Sequence, residues 1–334
     1  MKTNTKETQT LGPIDRILEI IFDQNTPEIK TLVTHRFPDD DGWLCFWIAK
    51  KFIPKTVNAK LVFVNAGETL PGLEDNPSVL HFDTGKGKYD QHGKNLKRTC
   101  SAAILAEKLG ILDNPGLRPL LEMATAVDSA EKLPDRDLHF LIEGYPRLYQ
   151  NGNINWEKVQ ERIFEDFEVI YGQETQRVEG RKNLELFAER TTLSNGLKVT
   201  SILWHPELRE AAFEDGAAVV IWTLTRGGKR FYTGIQRNRN YSKLRLDGVA
   251  AALRHAEAGA RGIDVRGKDL LYIDRQGPVT SWYLHDSLTL ILNGSRSWRP
   301  KDDEYTKLVP RQIIGIVHRT LSFISREVVS QWKK

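Results

Sequence analysis

The sequence predicts an α/β protein of two domains: a first domain with a largely parallel sheet, then a smaller α/β C-terminal domain, the two joined by a long helix. Three observations carry that reading. Short apolar or β-branched runs alternate with helical periods through the first half, the pattern of βα units. Residues 156–190 are rich in Glu, Arg and Lys with apolar residues at helical spacing, as expected of a connecting helix. From Leu197 the texture turns to strand-like runs. The length of 334 residues agrees, because single hydrophobic cores stop growing at roughly 250 to 300 residues.

In order, residues 14–22 read as a helix, 30–33 as a buried strand and 42–52 as a helix, so that a βα unit surrounds His35. Residues 60–64 and 78–82 read as two more strands. A helix follows at 100–109, closed by Gly110 in left-handed C-cap geometry, and another at 117–127. In the second half, 199–203, 217–224 and 230–235 read as strands, with Arg226-Gly227-Gly228-Lys229 as a hairpin turn. Residues 249–258 and 311–325 read as helices, and 282–292 as a strand pair around Asp286-Ser287. The expected division is 1–155 for the first domain, 156–192 for the connecting helix and 193–334 for the C-terminal domain. No internal repeat is visible.

A composition of 40% hydrophobic and 28% charged residues, with no low-complexity tract and no bilayer-length apolar run, argues against disorder and membrane insertion. Met1 to Pro13 are polar and lack a signal peptide's apolar core, so the expected compartment is the cytoplasm. The two cysteines, Cys45 and Cys100, fall in helical stretches without a second ligand at zinc spacing, and read as buried thiols rather than a disulfide or a metal site. A net charge of +4 and a pI near 8.9 are compatible with an anionic substrate but fall short of a dedicated nucleic-acid-binding tail.

The chemistry concentrates at strand ends. After the strand at 30–33 comes Thr34-His35-Arg36-Phe37-Pro38-Asp39-Asp40-Asp41-Gly42, one imidazole and three carboxylates on a strand-to-helix turn. Carboxylates so crowded repel one another unless a cation neutralises them, and a divalent metal is the simplest neutraliser. In an open parallel sheet this turn falls at the ligand crevice. The structural alternative is that the acids cap the next helix. A second strand ends at Asp83, and a glycine loop leads to Tyr89-Asp90-Gln91-His92. There Asp83 is a candidate to bridge two metals, and His92 to bind a metal or a phosphoryl oxygen. Asp128 ends an apolar helix, where the helix dipole disfavours an anion and a metal, Lys132 or Arg136 would compensate it.

These residues resemble the DHH phosphoesterase superfamily. His35-Arg36-Phe37-Pro38-Asp39-Asp40-Asp41 fits its first motif, Asp83 its second-motif aspartate, Asp90-Gln91-His92 its Asp-His-His signature and Asp128 its fourth-motif aspartate. Phe82-Asp83-Thr84-Gly85 with Tyr89 to His92 and Cys100-Ser101-Ala102-Ala103 is most similar to the Myg-type branch, a group of exonucleases. The resemblance implies a Rossmann-like catalytic domain and two Mn²⁺ ions, with Mg²⁺, Co²⁺ or Fe²⁺ as chemically suitable substitutes. It places His35, Asp39 and Asp83 around one ion and Asp41, Asp83 and Asp128 around the other, with catalytic roles for Asp83, His92 and Asp128. Gln91 departs from the pattern, standing where the family has a ligand histidine, and weakens the second ion site.

For the second domain the resemblance implies phosphate-binding groups that close over the site. The candidates are Arg237, Arg239 and Lys243 in a basic loop with Tyr241 as a stacking ring, His255 in a degenerate Gly-Gly-His stretch, and His285 with Asn293 and Ser295 as a second patch. The alternatives are a solvated loop, an exposed helical histidine and a satisfied core histidine. The implied activity is hydrolysis of phosphodiester bonds in short oligonucleotides or nucleotides. A phosphatase of a small phosphorylated metabolite and a weakened nucleotide-binding sensor stand beside it. No membrane partner is expected, and the oligomeric state is open, a homodimer included.

Overall fold

The computed structural model describes residues 28–92, 98–226, 229–295, 297–301 and 303–332. The expected helix at 14–22, the polar start of the chain and the two glycines of the 226–229 turn lie outside the described residues. The chain is mixed α/β and divides into two compact units, Met1–Gln176 and Arg177–Lys334.

In the first unit, β1 (Thr31–His35) lies between β2 (Lys60–Val64) and β3 (Val79–His81), all parallel. Leu32 and Val33 are fully buried, which suits the central strand of a covered parallel sheet. The register pairs Val33 with His81, so continuing it two residues past β3 sets His35 level with Asp83. Helix α1 (Asp40–Phe52) follows β1 directly and is buried from Asp40 to Ala49. Its Trp43, Phe46 and Trp47 pack in one core with residues of α2 (Ser101–Lys108), α3 (Arg118–Asp128) and the first half of α5 (Trp156–Phe187). Gly110 takes the left-handed φ of +68° expected just past α2.

Two features depart from the sequence reading. Helix α4 (Leu138–Leu148) has no counterpart there; Pro146 inside it breaks the helical signal. It leads into a small hairpin, β4 (Gln150–Asn151) and β5 (Asn153–Ile154). The long helix α5 stops at Phe187 instead of continuing to 190, because Ala188–Thr192 pairs antiparallel with the next strand, and β-branched Thr191 and Thr192 suit that edge.

The second unit is built on a six-stranded sheet in the order β10-β11-β9-β8-β7-β6. Its strands are β6 (Ala188–Thr192), β7 (Lys198–Leu203), β8 (Val219–Arg226), β9 (Lys229–Arg237), β10 (Tyr283–Leu284) and β11 (Leu290–Asn293), and only β7–β8 pair in parallel. The short α6 (Arg209–Glu214) makes the β7–β8 crossover; α7 (Asp247–Arg261), α8 (Pro310–Ser322) and α9 (Arg326–Ser330) supply residues to the main core of this unit. Among the described residues no helix is long and apolar enough to cross a membrane. Cys45 and Cys100 are free and buried, and burial pushes both thiols well above their ordinary range, as befits unreactive core groups.

Candidate metal centre

The turn from β1 into α1 holds its acids in a fixed geometry. Asp39 caps α1, its Oδ1 accepting from the backbone N–H of Asp41 at 3.0 Å and of Gly42 at 3.3 Å. A side chain at Gly42 would be crowded: a Cβ there would sit 3.0 Å from Pro38 Cβ and 3.1 Å from Thr34 Oγ1, with Asp83 Oδ2 at 3.6 Å. The missing side chain therefore lets the start of α1 come close to the carboxylate arriving from β3.

That carboxylate, Asp83, is 4% exposed and sits on a left-handed backbone with φ of +49°, a region Asp tolerates better than most residues. Its Oδ2 lies 3.0 Å from His35 Nε2, while His35 Nδ1 lies 3.0 Å from the Arg36 carbonyl. The carbonyl can only accept, so Nδ1 carries the hydrogen and a neutral ring would aim its Nε2 lone pair at a carboxylate. A cation has to lie between them, and with no metal it is a proton. The His35 pKa is accordingly raised to about 9, by the Asp83 hydrogen bond first and against the opposing effect of burial. Asp83 is nonetheless pushed above the usual carboxylate range by its own burial, with the Asp39 charge adding to it.

Asp41 is wholly buried, and its two oxygens accept from Ser101 N and Ala102 N, each at 2.8 Å, at the start of α2. Its pKa is still driven up, by desolvation and then by the Asp83 and Asp128 charges. Asp128, at the end of α3, is raised to about 7 by burial first, then by Asp83 and Asp39. Gln91 stands between carboxylates: its Nε2 donates to Asp128 Oδ2 at 2.8 Å and reaches Asp83 Oδ1 at 3.5 Å, while its Oε1 accepts from the Ser101 hydroxyl. His92 Nδ1 lies 3.0 Å from Asp90 Oδ1 and 3.6 Å from Asp83 Oδ1, and its side chain is 62% exposed.

Two groups of candidate ligand atoms thus form around Asp83, each lying within 4.8 Å: His35, Asp39 and Asp83, and Asp83, Asp90 and His92. Asp41 and Asp128 belong to neither group, although the Asp83 charge bears on both and Asp128 is tied to Asp83 through Gln91. Asp90 stands in the sequence motif without a ligand role there, and the structure adds it to the candidates. His139 has no place in the sequence reading at all; its Nδ1 lies 2.8 Å from Oδ2 of buried Asp40, whose Oδ1 has no partner among the described residues. Burial above all raises Asp40 to about 7. The His139–Asp40 contact joins residues 99 positions apart, which no local pattern encodes.

The donor set fits a divalent cation. Two ligand atoms each about 2.1 Å from one ion and roughly at right angles would lie about 3 Å apart, the spacing between His35 Nε2 and Asp83 Oδ2. A tautomer fixed by a backbone carbonyl is the usual support of a ligating histidine. One imidazole with carboxylates suits Mn²⁺, Mg²⁺, Fe²⁺ or Co²⁺.

In the second unit, the Arg237 guanidinium donates to the carbonyls of Tyr241, Ser242 and Leu244 and holds its own loop. Arg239 and Lys243 on that loop are exposed, as is His255 on α7. His285 is half-exposed rather than a core residue, with Ser287 Oγ 2.8 Å and Asp286 Oδ1 2.7 Å from Nδ1. Asn293 is buried and acts as a clamp, donating to Ser281 O and Glu304 O and accepting from Thr306 N. Ser295 Oγ accepts from Trp298 N within a turn.

No protein-family model matches the chain, and no curated protein matches it. Among solved structures the chain is similar to a DHH-domain structure described as a member of a family of ribosomal proteins. The two share 11% identity over 93% of this chain and 90% of that one, with a TM-score of 0.31.

Proposed function

We propose that the first unit is the catalytic centre of a metal-dependent phosphoesterase of DHH type, closest to the Myg-type exonucleases, which hydrolyses phosphodiester bonds of short oligonucleotides or nucleotides with Mn²⁺. One observation carries this reading: the imidazole of His35 and the carboxylates of Asp39 and Asp83 bring three candidate ligand atoms within 4.8 Å of one another at the ends of neighbouring parallel strands. His35, Asp39 and Asp83 would hold the first ion. When bound, such an ion polarises a phosphoryl oxygen and lowers the pKa of water. Around it, Asp128 with its pKa near neutrality is suited to accept a proton from the attacking water. The exposed His92 ring, anchored through Nδ1 on Asp90, presents Nε2 to hydrogen-bond the phosphoryl group or protonate the departing oxygen. Of the residues that the sequence nominates in the second unit, Arg239, Lys243 and His255 are exposed and suited to phosphate.

A second reading, a nucleotide sensor with weakened catalysis, draws on Gln91. Its amide N–H groups lie against Asp83 and Asp128, where the family resemblance would put a second ion, and a neutral donor there competes with a cation. The experiment is turnover of a short labelled RNA in Mn²⁺ by wild type and Asp83→Ala. Release of mononucleotides by wild type, reduced by more than about a hundredfold in the variant, is expected. Equal turnover by both proteins would falsify the metal centre. Hydrolysis of a phosphomonoester with no action on RNA would replace this reading by the metabolite phosphatase, and tight nucleotide binding without turnover by the sensor.

A further inference from the structure

Phe37 lies in the turn between His35 and Asp39, yet its ring is 64% exposed and its backbone is left-handed, with φ of +53°. A bulky residue at that φ is an outlier that the surroundings must enforce, and such outliers gather at ligand sites. Its ring meets Trp156 edge to face, with centroids 5.5 Å apart, and Trp156 in turn lies against Phe63 at 5.0 Å. Together these rings line an open cavity of about 570 Å³, within the size range of small-ligand sites. Arg36 and the exposed hairpin residues Gln150 and Asn153 complete its lining, and no carboxylate is among the lining residues.

Aromatic faces, side-chain amides and one guanidinium are the groups that recognise a heterocyclic base joined to a phosphate: rings stack, amides pair with base edges, and Arg binds phosphate or stacks. A cavity of about 430 Å³ in the second unit has the same kinds of group in Trp222, Tyr232, Gln236 and Arg209, but Glu207 and Glu210 line it as well and oppose an anion. The larger one, about 720 Å³ along α1 and α5, carries Glu161, Glu165, Asp166 and Glu168 and would repel a phosphate. The position is also informative, because Arg36 and Phe37 belong to the same turn as the proposed ligands His35 and Asp39.

We propose that this cavity binds the base of a nucleotide whose phosphate sits at His35, Asp39 and Asp83, with Phe37 and Trp156 as its stacking surface; the phosphate's place rests on the function proposed above. It makes the substrate a nucleoside phosphate in particular, among phosphoesters generally.

The test is titration of the Mn²⁺-loaded protein with adenosine 5′-monophosphate and with ribose 5-phosphate, followed by tryptophan fluorescence and calorimetry. Wild type is expected to bind the adenine compound about tenfold more tightly, the increment of one stacked base. Phe37→Ala should bring the two compounds level without changing affinity for ribose 5-phosphate, which also reports that the protein is folded, and Phe37→Tyr should keep the preference. Equal affinity for both compounds in wild type, a full preference retained by Phe37→Ala, or binding of neither overturns the proposal. Failure of the metal reading would look different: ribose 5-phosphate would bind equally with and without Mn²⁺, whatever residue stands at 37.

Discussion

Both units bury charge, but they treat it in opposite ways. In the second, Arg254 is wholly buried, and its guanidinium donates to the carbonyls of Trp282, Leu270, Tyr272 and Asp274 while lying 3.6 Å over the Tyr272 ring. Glu257, equally buried, accepts from Arg261 Nε, Lys307 N, the Thr306 hydroxyl and Trp282 Nε1. Both of these charges have their complement inside the fold. Around Asp83 in the first unit, Asp39, Asp41, Asp90 and Asp128 add four more carboxylates, and among the described residues the basic side chains that meet Asp83 are the imidazoles of His35 and His92. Buried charge by itself therefore says little about function; buried charge that no group among the described residues balances points to something the protein binds.

The largest expected effect breaks the balanced side. Arg254→Met leaves several carbonyls without donors and should cost about 3–5 kcal/mol of stability, the same with or without Mn²⁺, as urea denaturation in both conditions would register. On the unbalanced side, removing a charge should cost little. Asp83→Asn in the presence of chelator relieves the repulsion from Asp39 but loses the His35 ion pair, so the two effects offset and stability is expected to stay within about 1 kcal/mol of wild type, whereas loss of several kcal/mol would mean that Asp83 is a structural anchor like Glu257. Next in size, Mn²⁺ at a hundred times its Kd should stabilise wild type by about 2.7 kcal/mol and Asp83→Asn hardly at all.

The pH response sharpens the contrast further. Asp40 and Asp128 have pKa values raised from 3.8 to about 7, so between those limits the folded protein binds more protons than the unfolded chain and stability falls as pH rises. His35, raised from 6.5 to about 9, contributes stability that is complete below its unfolded pKa and lost as pH rises through 9. All three act in one direction. Thermal melts of chelated protein should fall steadily from pH 4 to 9, and saturating Mn²⁺ should flatten the part of that slope due to His35 and Asp128, since the ion replaces their protons, and leave the part due to Asp40. A slope indifferent to Mn²⁺ would remove the link between these groups and a cation. Smallest of all, Gln91→His should add weak binding of a second Mn²⁺ equivalent, visible as a second step in a metal titration; one unchanged step would show that Gln91 does not set the number of ions.

The parts of this picture that are legible in the sequence are those written in local periodicity. The β1–α1 turn, the strand ending at Asp83 and the helix ending at Asp128 follow from apolar runs and turn residues, and with a parallel sheet they bring His35, Asp39 and Asp83 to one edge. What stays hidden depends on tertiary contacts. His139 reaches Asp40 from a helix 99 positions further along the chain. Asp41 meets the start of α2 some sixty positions away, a pairing that no local pattern encodes. In the second unit, Arg237 and Asn293 have the residue types of substrate ligands, yet both are engaged by backbone carbonyls of their own unit. Residue type announces what a side chain could bind, while the fold decides whether it is already occupied.

Calorimetric titration of metal-free protein with Mn²⁺, for wild type and for Asp83→Ala shown to be folded by circular dichroism, probes the unbalanced charge most directly. Saturable binding to wild type that disappears in the variant is the expected result. Wild type that takes up no Mn²⁺, Mg²⁺, Fe²⁺ or Co²⁺, or a variant that binds as well as wild type, would contradict a cation centre at Asp83.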